Sequence, residues 1–506
     1  MHYLGIPTTR AAACVTSDST VLRDPLYDGN SIAERCTVVT RVAENFFRFG
    51  SFEIFKKDGE RSGPSAGNTD LQKAFLEHVQ SYYSDSAKQD VGEFYEEVVR
   101  KTALLVARWQ AVGFVHGVLN TDNMSIMALT IDYGPFAFME FYDPDFIPNG
   151  SDGAGRYRYS RQPQICKWNL RQLGVALRPF LSPEHAEDAL SQFDSVFQDV
   201  YDKLLIDKFG FGFNTGNSMG EVSLSKADRE LIDDFFSTLE TTSADFAYAF
   251  NALTEFATDL ADADVDTVDL NVGAPTARSS TAEGDLAEEK LVGRLVEISA
   301  TPAHLSELIR RRARISRLQM APAQILEIWE MLDDPAKVSE MFYGASVEDI
   351  RREIAGEKSK LDWLMQAGQR LQDLQVLTEE EKKKEDYQRW APWVAKYRVR
   401  LAEQRSRDSG SASVSGFPSF SESNDSNVSS ESDVPAGTYR ERLQRMRSSN
   451  PTFILRNWVC VCHLNLLLLF TLNVSHFVSF HFTNLNEFAI IQPHKTSTID
   501  RLRKRL

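Results

Sequence analysis

The residues of this chain whose types and spacing could do chemistry are Asp122, Asn123 and Asp132. They sit in His116-Gly-Val-Leu-Asn-Thr-Asp122-Asn123 and, after a short apolar stretch, in Asp132-Tyr-Gly134. An amide oxygen and a carboxylate brought together from two such turns can hold a divalent cation, and that cation can neutralise the phosphates of a nucleotide. Taken alone, Asp122-Asn123 reads more readily as a turn or helix cap than as a site. The company of His116 and Asp132-Tyr-Gly134 moves the reading from cap to site. His116 itself reads as a packing and hydrogen-bonding residue, not a catalyst.

The elements around these residues must bring them together. From Val91 to Val112 the apolar residues Phe94, Tyr95, Val98, Val99, Leu105, Val106 and Trp109 recur at helical spacing, and Gly113 is a natural stop. Leu129-Thr-Ile131 reads as a short strand delivering Asp132, and Phe138 to Gln164 as an irregular loop. A long helix, a His-led loop, a short strand and an Asp turn follow one another as in the carboxyl-terminal lobe of a protein kinase. A kinase loop reads His-Arg-Asp-x-x-x-x-Asn; His116 and Asn123 keep that spacing, but Val118 stands where the catalytic Asp would be. An aliphatic side chain accepts no proton, so the pattern predicts a kinase-like fold with altered chemistry.

The 506 residues, 42% of them hydrophobic, are ample for a sizeable core and more than one domain. A formal charge of −16 argues against a nucleic-acid partner, because phosphate backbones select basic faces. Cys14, Cys36, Cys166, Cys460 and Cys462 are odd in number and scattered, which argues against a disulfide framework. Ala11 to Thr16 reads as a strand entering a buried layer.

Beyond Cys166 the periodicity is mainly helical, over Trp168 to Leu181, Ala186 to Phe209, Lys226 to Leu260 and Thr301 to Leu377. A charged helix runs on from Glu379 towards Arg405. The predicted organisation is therefore 1–55, the remnant of an amino-terminal lobe; 56–260, a helical lobe with the loop and metal turn; 261–289, an acidic flexible insertion; 290–405, a helical extension; 406–435, a disordered Ser-rich linker; 436–458, a carboxyl-terminal segment; and 459–506, an unmatched hydrophobic tail. Residues 457–486 carry no Asp, Glu, Lys or Arg and would be long enough to cross a bilayer, yet His463, Asn465, Asn473, His476 and His481 weigh against an anchor.

In its motifs the chain resembles the selenoprotein O (SelO) family of protein adenylyltransferases, pseudokinases that transfer AMP instead of phosphate. The stretches that carry the resemblance are Met1 to Arg10, Thr40-Arg-Val-Ala43 with Arg48-Phe-Gly-Ser-Phe52, Gln110 to Met124, Thr130 to Pro135, Trp168-Asn-Leu and Asn450 to Trp458. The resemblance implies an α+β, mainly helical, protein-kinase-like fold. It implies that Asp122 is the proton acceptor and that Asn123 and Asp132 are metal ligands, Asp132 also lying against ATP. It implies that Arg41 and Arg48, two helical turns apart, grip phosphates of an ATP flipped relative to kinases. ATP as substrate, magnesium with manganese as the alternative ion, and protein acceptors at Ser, Thr or Tyr follow from the same likeness. So does a mitochondrial location, with the cytoplasm as the alternative. Without the resemblance, Arg41 and Arg48 would read as surface charges.

The family pattern also calls for a Gly-rich loop, a strand Lys and a helix Glu, and none of them stands in this sequence ahead of the matched blocks. The expectation is a chain lacking most of one lobe, with an apolar face where that lobe would pack and weak or absent transfer. A non-catalytic nucleotide-binding scaffold and an ordinary kinase are the competing readings, and Val118 makes the second the weaker.

Overall fold

The computed structural model describes residues 1–24, 31–57, 63–212, 224–265, 279–315, 318, 320–332, 347–412, 439–452 and 454. Strands β1 (Arg10–Arg23) and β2 (Ile32–Val42) pair as an antiparallel hairpin whose register slips between Ala11 and Ala13 and again between Thr16 and Thr20. Val15, Thr16, Val38, Val39 and Thr40 supply the β-branched side chains that favour this pairing. The expected strand over Ala11 to Thr16 therefore forms, but it is exposed, not buried. No second layer covers the hairpin among the described residues, and Val15, Leu22, Val38 and Val42 stand in solvent.

Short helices α1 (Gly50–Glu53), α2 (Thr69–Gln80) and α3 (Asp85–Gln89) lead into the central helix α4 (Val91–Ala111). The Asp90 carboxylate starts α4 by accepting the Glu93 amide at 3.0 Å. One wide face then buries Phe94, Tyr95, Val98, Val106 and Trp109, as the periodicity predicts. Gly113 ends the run with φ +67°, and a Cβ there would lie 2.9 Å from the Phe246 ring. Next comes β3 (Phe114–Val115), paired with β4 (Ala137–Phe138). Successive strand side chains point to opposite faces, so Phe114 enters one core and Val115 a second.

The first core is packed by α4, by α5 (Gln162–Ala176) and by the opening turns of α6 (Pro183–Phe209), through Phe52, Trp109, Leu170 and Phe193. The last turn of α6 carries Phe209 into the second core, an aromatic cluster of Phe235, Phe250, Trp390, Trp393 and Tyr397. That core is enclosed by α7 (Lys226–Thr242), α8 (Phe246–Val265) and α9 (Ser279–Glu297). The chain continues through α10 (Pro302–Ile315), α11 (Pro322–Met331), α12 (Val347–Val376) and α13 (Glu379–Ala412) to α14 (Tyr439–Ser449). The result is the mainly helical α+β architecture expected, with small sheets only.

Several boundaries differ from the periodicity. The single helix expected over Lys226 to Leu260 breaks at Ser243, whose φ of +49° turns the chain between α7 and α8. The run from Thr301 divides into α10, α11 and α12. The acidic stretch 261–289 is helical up to Val265 and again from Ser279, which leaves 266–278 outside the described residues. The Ser-rich stretch 406–435 is helical as far as Ala412, and its remainder, like 457–486 and the tail 459–506, lies outside them too. Among the described residues no helix is long and apolar enough to cross a membrane.

Two buried lysines tie distant elements. Lys208 Nζ donates to the Ser449 carbonyl at 2.7 Å and to Asn450 Oδ1 at 3.2 Å, while Asn450 Nδ2 donates back to the Lys208 carbonyl at 2.9 Å. Lys382 Nζ donates to Asp386 Oδ1 at 2.6 Å and reaches the Thr242 carbonyl at 3.3 Å, closing the end of α7.

Candidate active site

The loop after β3 is held from beneath by one buried amide. Gln162 Oε1 accepts the His116 amide and Gln162 Nε2 donates to the Phe114 carbonyl, both at 2.9 Å. The His116 ring is buried, with Nε2 2.9 Å from the Ile131 carbonyl and Nδ1 3.4 Å from the Val118 amide. Because Val118 N–H can only donate, Nδ1 is the acceptor and the proton resides on Nε2. Burial lowers the His116 pKa against the opposing pull of the Ile131 carbonyl and the Asp132 charge. His116 is a neutral brace joining the loop to the Asp132 turn, as its sequence reading held.

Asn123 closes the same loop. Its side-chain Nδ2 donates to the Val118 carbonyl at 3.0 Å, which leaves Oδ1 as the acceptor end of the amide. Asp132 follows Ile131 with φ +58°, a left-handed conformation that Asp and Asn tolerate better than other L residues. The strand expected over Leu129 to Ile131 contracts to a single parallel bridge between Thr8 and Thr130. Thr130 is nonetheless firmly placed, because its hydroxyl donates to the Pro7 carbonyl and accepts from Trp109 Nε1, both at 2.9 Å. The Tyr133 hydroxyl bonds Thr8 on the other side of the turn.

Asp122 lies in a turn of 3-10 helix, Thr121–Asn123, and its side chain is exposed. It rests on Gly50, where a Cβ would fall 2.0 Å from Asp122 Oδ1. Arg48 is bound to the loop through the main chain. Phe49 N donates to the Met124 carbonyl and Ile126 N to the Phe47 carbonyl, both at 2.9 Å, so Arg48 bridges Ser125 two residues beyond Asn123. Arg41 is placed differently. It lies on exposed β2, paired with Ala11, and its guanidinium sits 5.6 Å from the Phe46 ring. The helical spacing of the two arginines is thus not what relates them: one is on a strand and the other on an extended link. Neither has a carboxylate partner among the described residues.

The segment after Asp132 folds back over the loop. Asn149 Nδ2 donates to the Gly117 carbonyl at 3.1 Å. Gly117 has φ +83°, and a Cβ there would meet the Pro135 carbonyl oxygen at 2.6 Å. The segment is irregular from Met139 to Arg158, as expected, but the turn Tyr159–Arg161 and α5 end it before Gln164. Asp152 shapes it by accepting the Arg156 amide at 2.9 Å and the Tyr157 amide at 2.7 Å.

The described residues hold no cluster of three or more His, Cys, Asp or Glu. An ion here would take oxygens from Asn123 and Asp132 and complete its shell with phosphate and water, the coordination magnesium prefers.

The family model described as protein adenylyltransferase SelO matches residues 1–461. The chain belongs to the SelO family. It is 37% identical over 472 residues to the mitochondrial protein adenylyltransferase SelO of Homo sapiens, covering 91% of this chain and 59% of that protein. Against the mitochondrial SelO-1 of Danio rerio it is 37% identical over 470 residues, 90% of this chain and 57% of the relative. A bacterial protein nucleotidyltransferase YdiU, from Rhodopirellula baltica, is 40% identical over 266 residues, 50% of this chain and 46% of its own length. This SelO chain therefore spans less than two thirds of the animal relatives it matches.

Sequence reasoning missed the residues that hold the site without touching it. Gln162 braces His116 from the start of α5, and Asn169 Nδ2 donates to the Leu119 carbonyl at 3.0 Å. Asn169 lies within the SelO motif Trp168-Asn-Leu, so a signal for it existed, though not for its role. Gly50 likewise lies within the SelO motif Arg48-Phe-Gly-Ser-Phe52, but the need for a missing Cβ shows only where Asp122 is packed against it.

Proposed function

We propose that this SelO chain carries the AMP-transfer site of a protein adenylyltransferase. The observation that carries the reading is the hydrogen-bonded path from Asn123 through Val118 and His116 to Ile131, which couples the loop to the Asp132 turn. Asn123 and Asp132 act as ligands of magnesium, which when bound offsets the charge of the triphosphate. Arg48, joined to the loop by main-chain bonds, and Arg41 pair with phosphate oxygens as bidentate forks. Asp122 accepts the proton of a Ser, Thr or Tyr hydroxyl as its oxygen bonds to the α phosphorus. The bond from that phosphorus to the oxygen bridging the β phosphate breaks, and pyrophosphate leaves. Two guanidinium groups stabilise the charge gathering on it. Mitochondrial location is proposed on the printed names of the animal relatives.

Incubation with ATP labelled at the α phosphate, in the presence of magnesium, is expected to leave label on the chain or on an acceptor protein. Label arriving from the γ phosphate instead overturns the reading in favour of a kinase. A scaffold that binds nucleotide without transfer is the second reading, favoured by Val118 at the usual position of the base; nucleotide-dependent thermal stabilisation with no transferred label would establish it.

Gly50→Ala tests the role of Asp122 without removing it. The new methyl group must displace the carboxylate, and misplacement of a reacting group by about an ångström costs up to about a hundredfold in rate. The expected result is a loss of AMP transfer with unchanged thermal stability and ATP affinity. A variant as fast as the parent would remove Asp122 from the mechanism.

A further inference from the structure

Arg312 lies far from Asp122, Asn123 and Asp132 in sequence and is not used by the chemistry above, yet it joins two carboxylates of the segment that follows the Asp132 turn. It projects from α10, with Nη1 3.1 Å from Asp143 Oδ1 and Nη2 bonded to Asp145. Both carboxylates belong to the irregular segment that follows the Asp132 turn. Arg158, from the far end of that segment, reaches Asp145 Oδ1 at 3.1 Å. On its other side the Arg312 guanidinium lies 4.3 Å from the Trp363 ring of α12. Glu240 adds a third carboxylate, raised in pKa by burial and then by the charges of Asp143 and Asp145. Burial likewise pushes the Asp143 carboxyl up while Arg312 pulls it down. Three acids crowded around so few cations would separate without the guanidinium.

The segment it clamps has little regular structure to hold it. Between Met139 and Arg158 it is half-buried and held by scattered bonds, among them Phe146 N to the Asp143 carbonyl and Ser160 N to the Pro144 carbonyl. Its Asn149 touches Gly117 in the catalytic loop. This bond sets the segment against the loop that would receive an acceptor hydroxyl. We propose that Arg312 is a positioning residue for protein-acceptor binding, fixing residues 139–161 against the helical extension so that the acceptor hydroxyl is presented to the loop. The acceptor clause rests on the AMP-transfer reading; the positioning clause does not.

The test uses the full chain with Arg312→Gln, Arg312→Lys and Trp363→Leu. Hydrogen exchange is read over 139–161 and over 116–123, and transfer from α-labelled ATP to casein is read as separate KM values for ATP and for casein. In Arg312→Gln, exchange over 139–161 is expected to quicken by about tenfold with 116–123 unaltered. KM for casein should rise by about tenfold while KM for ATP holds, because only acceptor placement is lost. Arg312→Lys, which keeps the charge but not the fork, should fall between the two, and Trp363→Leu should reproduce a milder form. Unchanged exchange over 139–161 in Arg312→Gln overturns the positioning clause whatever the activity. Quickened exchange with an unchanged casein KM, or a rise in both KM values together, overturns the acceptor clause. If the parent chain transfers no AMP, the AMP-transfer reading fails and the acceptor clause with it, while the exchange comparison still decides whether Arg312 holds the segment.

Discussion

Asp132→Asn is expected to reduce AMP transfer by about a thousandfold while leaving the fold intact, since removing charge from a preorganised phosphate-binding site commonly costs that much. Asparagine is the right replacement here. At φ +58° the backbone is left-handed, which Asn tolerates nearly as well as Asp, so the substitution deletes a charge without adding strain. Alanine at the same position would mix both effects. The informative comparison is magnesium-dependent ATP binding against transfer: with Asn, nucleotide affinity should become insensitive to magnesium as transfer falls. A variant that keeps the magnesium dependence of the parent would show that the ion is held elsewhere. His116 offers an internal control, since loss of its brace to the Ile131 carbonyl should disturb the turn and lower thermal stability as well as rate.

Lys382→Met is expected to destabilise the chain by about 3 kcal/mol, because it strands a buried carboxylate. The Lys382 and Asp386 side chains are each only 3% exposed and pair with one another on α13. Lys382 also satisfies the Thr242 carbonyl at the end of α7, an orphan acceptor of the kind every helix terminus leaves. The double substitution Lys382→Met with Asp386→Leu should recover much of the loss, because replacing both members of a buried pair by apolar groups is often close to neutral. Urea midpoints of the parent, the single and the double variants measure this directly. Equal loss in the single and double variants would mean that the Thr242 contact, not the stranded charge, carries the effect.

How far the sequence reached differs from element to element, for physical reasons. The helix from Val91 and its stop at Gly113 were legible because apolar periodicity and a left-handed glycine are local properties of the chain. The pairing of a His-led loop with an Asp turn was legible from spacing, and the structure supplies the bonds through Val118 and Ile131. The break at Ser243 was not, because the apolar pattern runs through it and only the packing of Ala244 and Phe246 in the second core makes the turn worthwhile. Burial of the first strand was misjudged for the opposite reason: an apolar strand is a statement about what could cover it, and here the described residues provide only its hairpin partner. Arg41 and Arg48 were singled out by resemblance alone; the structure ties Arg48 to the loop and sets Arg41 on the hairpin. Arg312 and Gln162 were invisible, and so was the role of Gly50, since each matters through a residue distant in sequence.

The reciprocal bonds between Lys208 and Asn450 join positions 242 residues apart. Closing so long a loop is slow compared with assembling the helices between, and the contact cannot exist until Asn450 has left the ribosome. During synthesis, therefore, the first core can mature around the central helix while Phe209 and Phe250 wait for Trp390, Trp393 and Tyr397 to emerge.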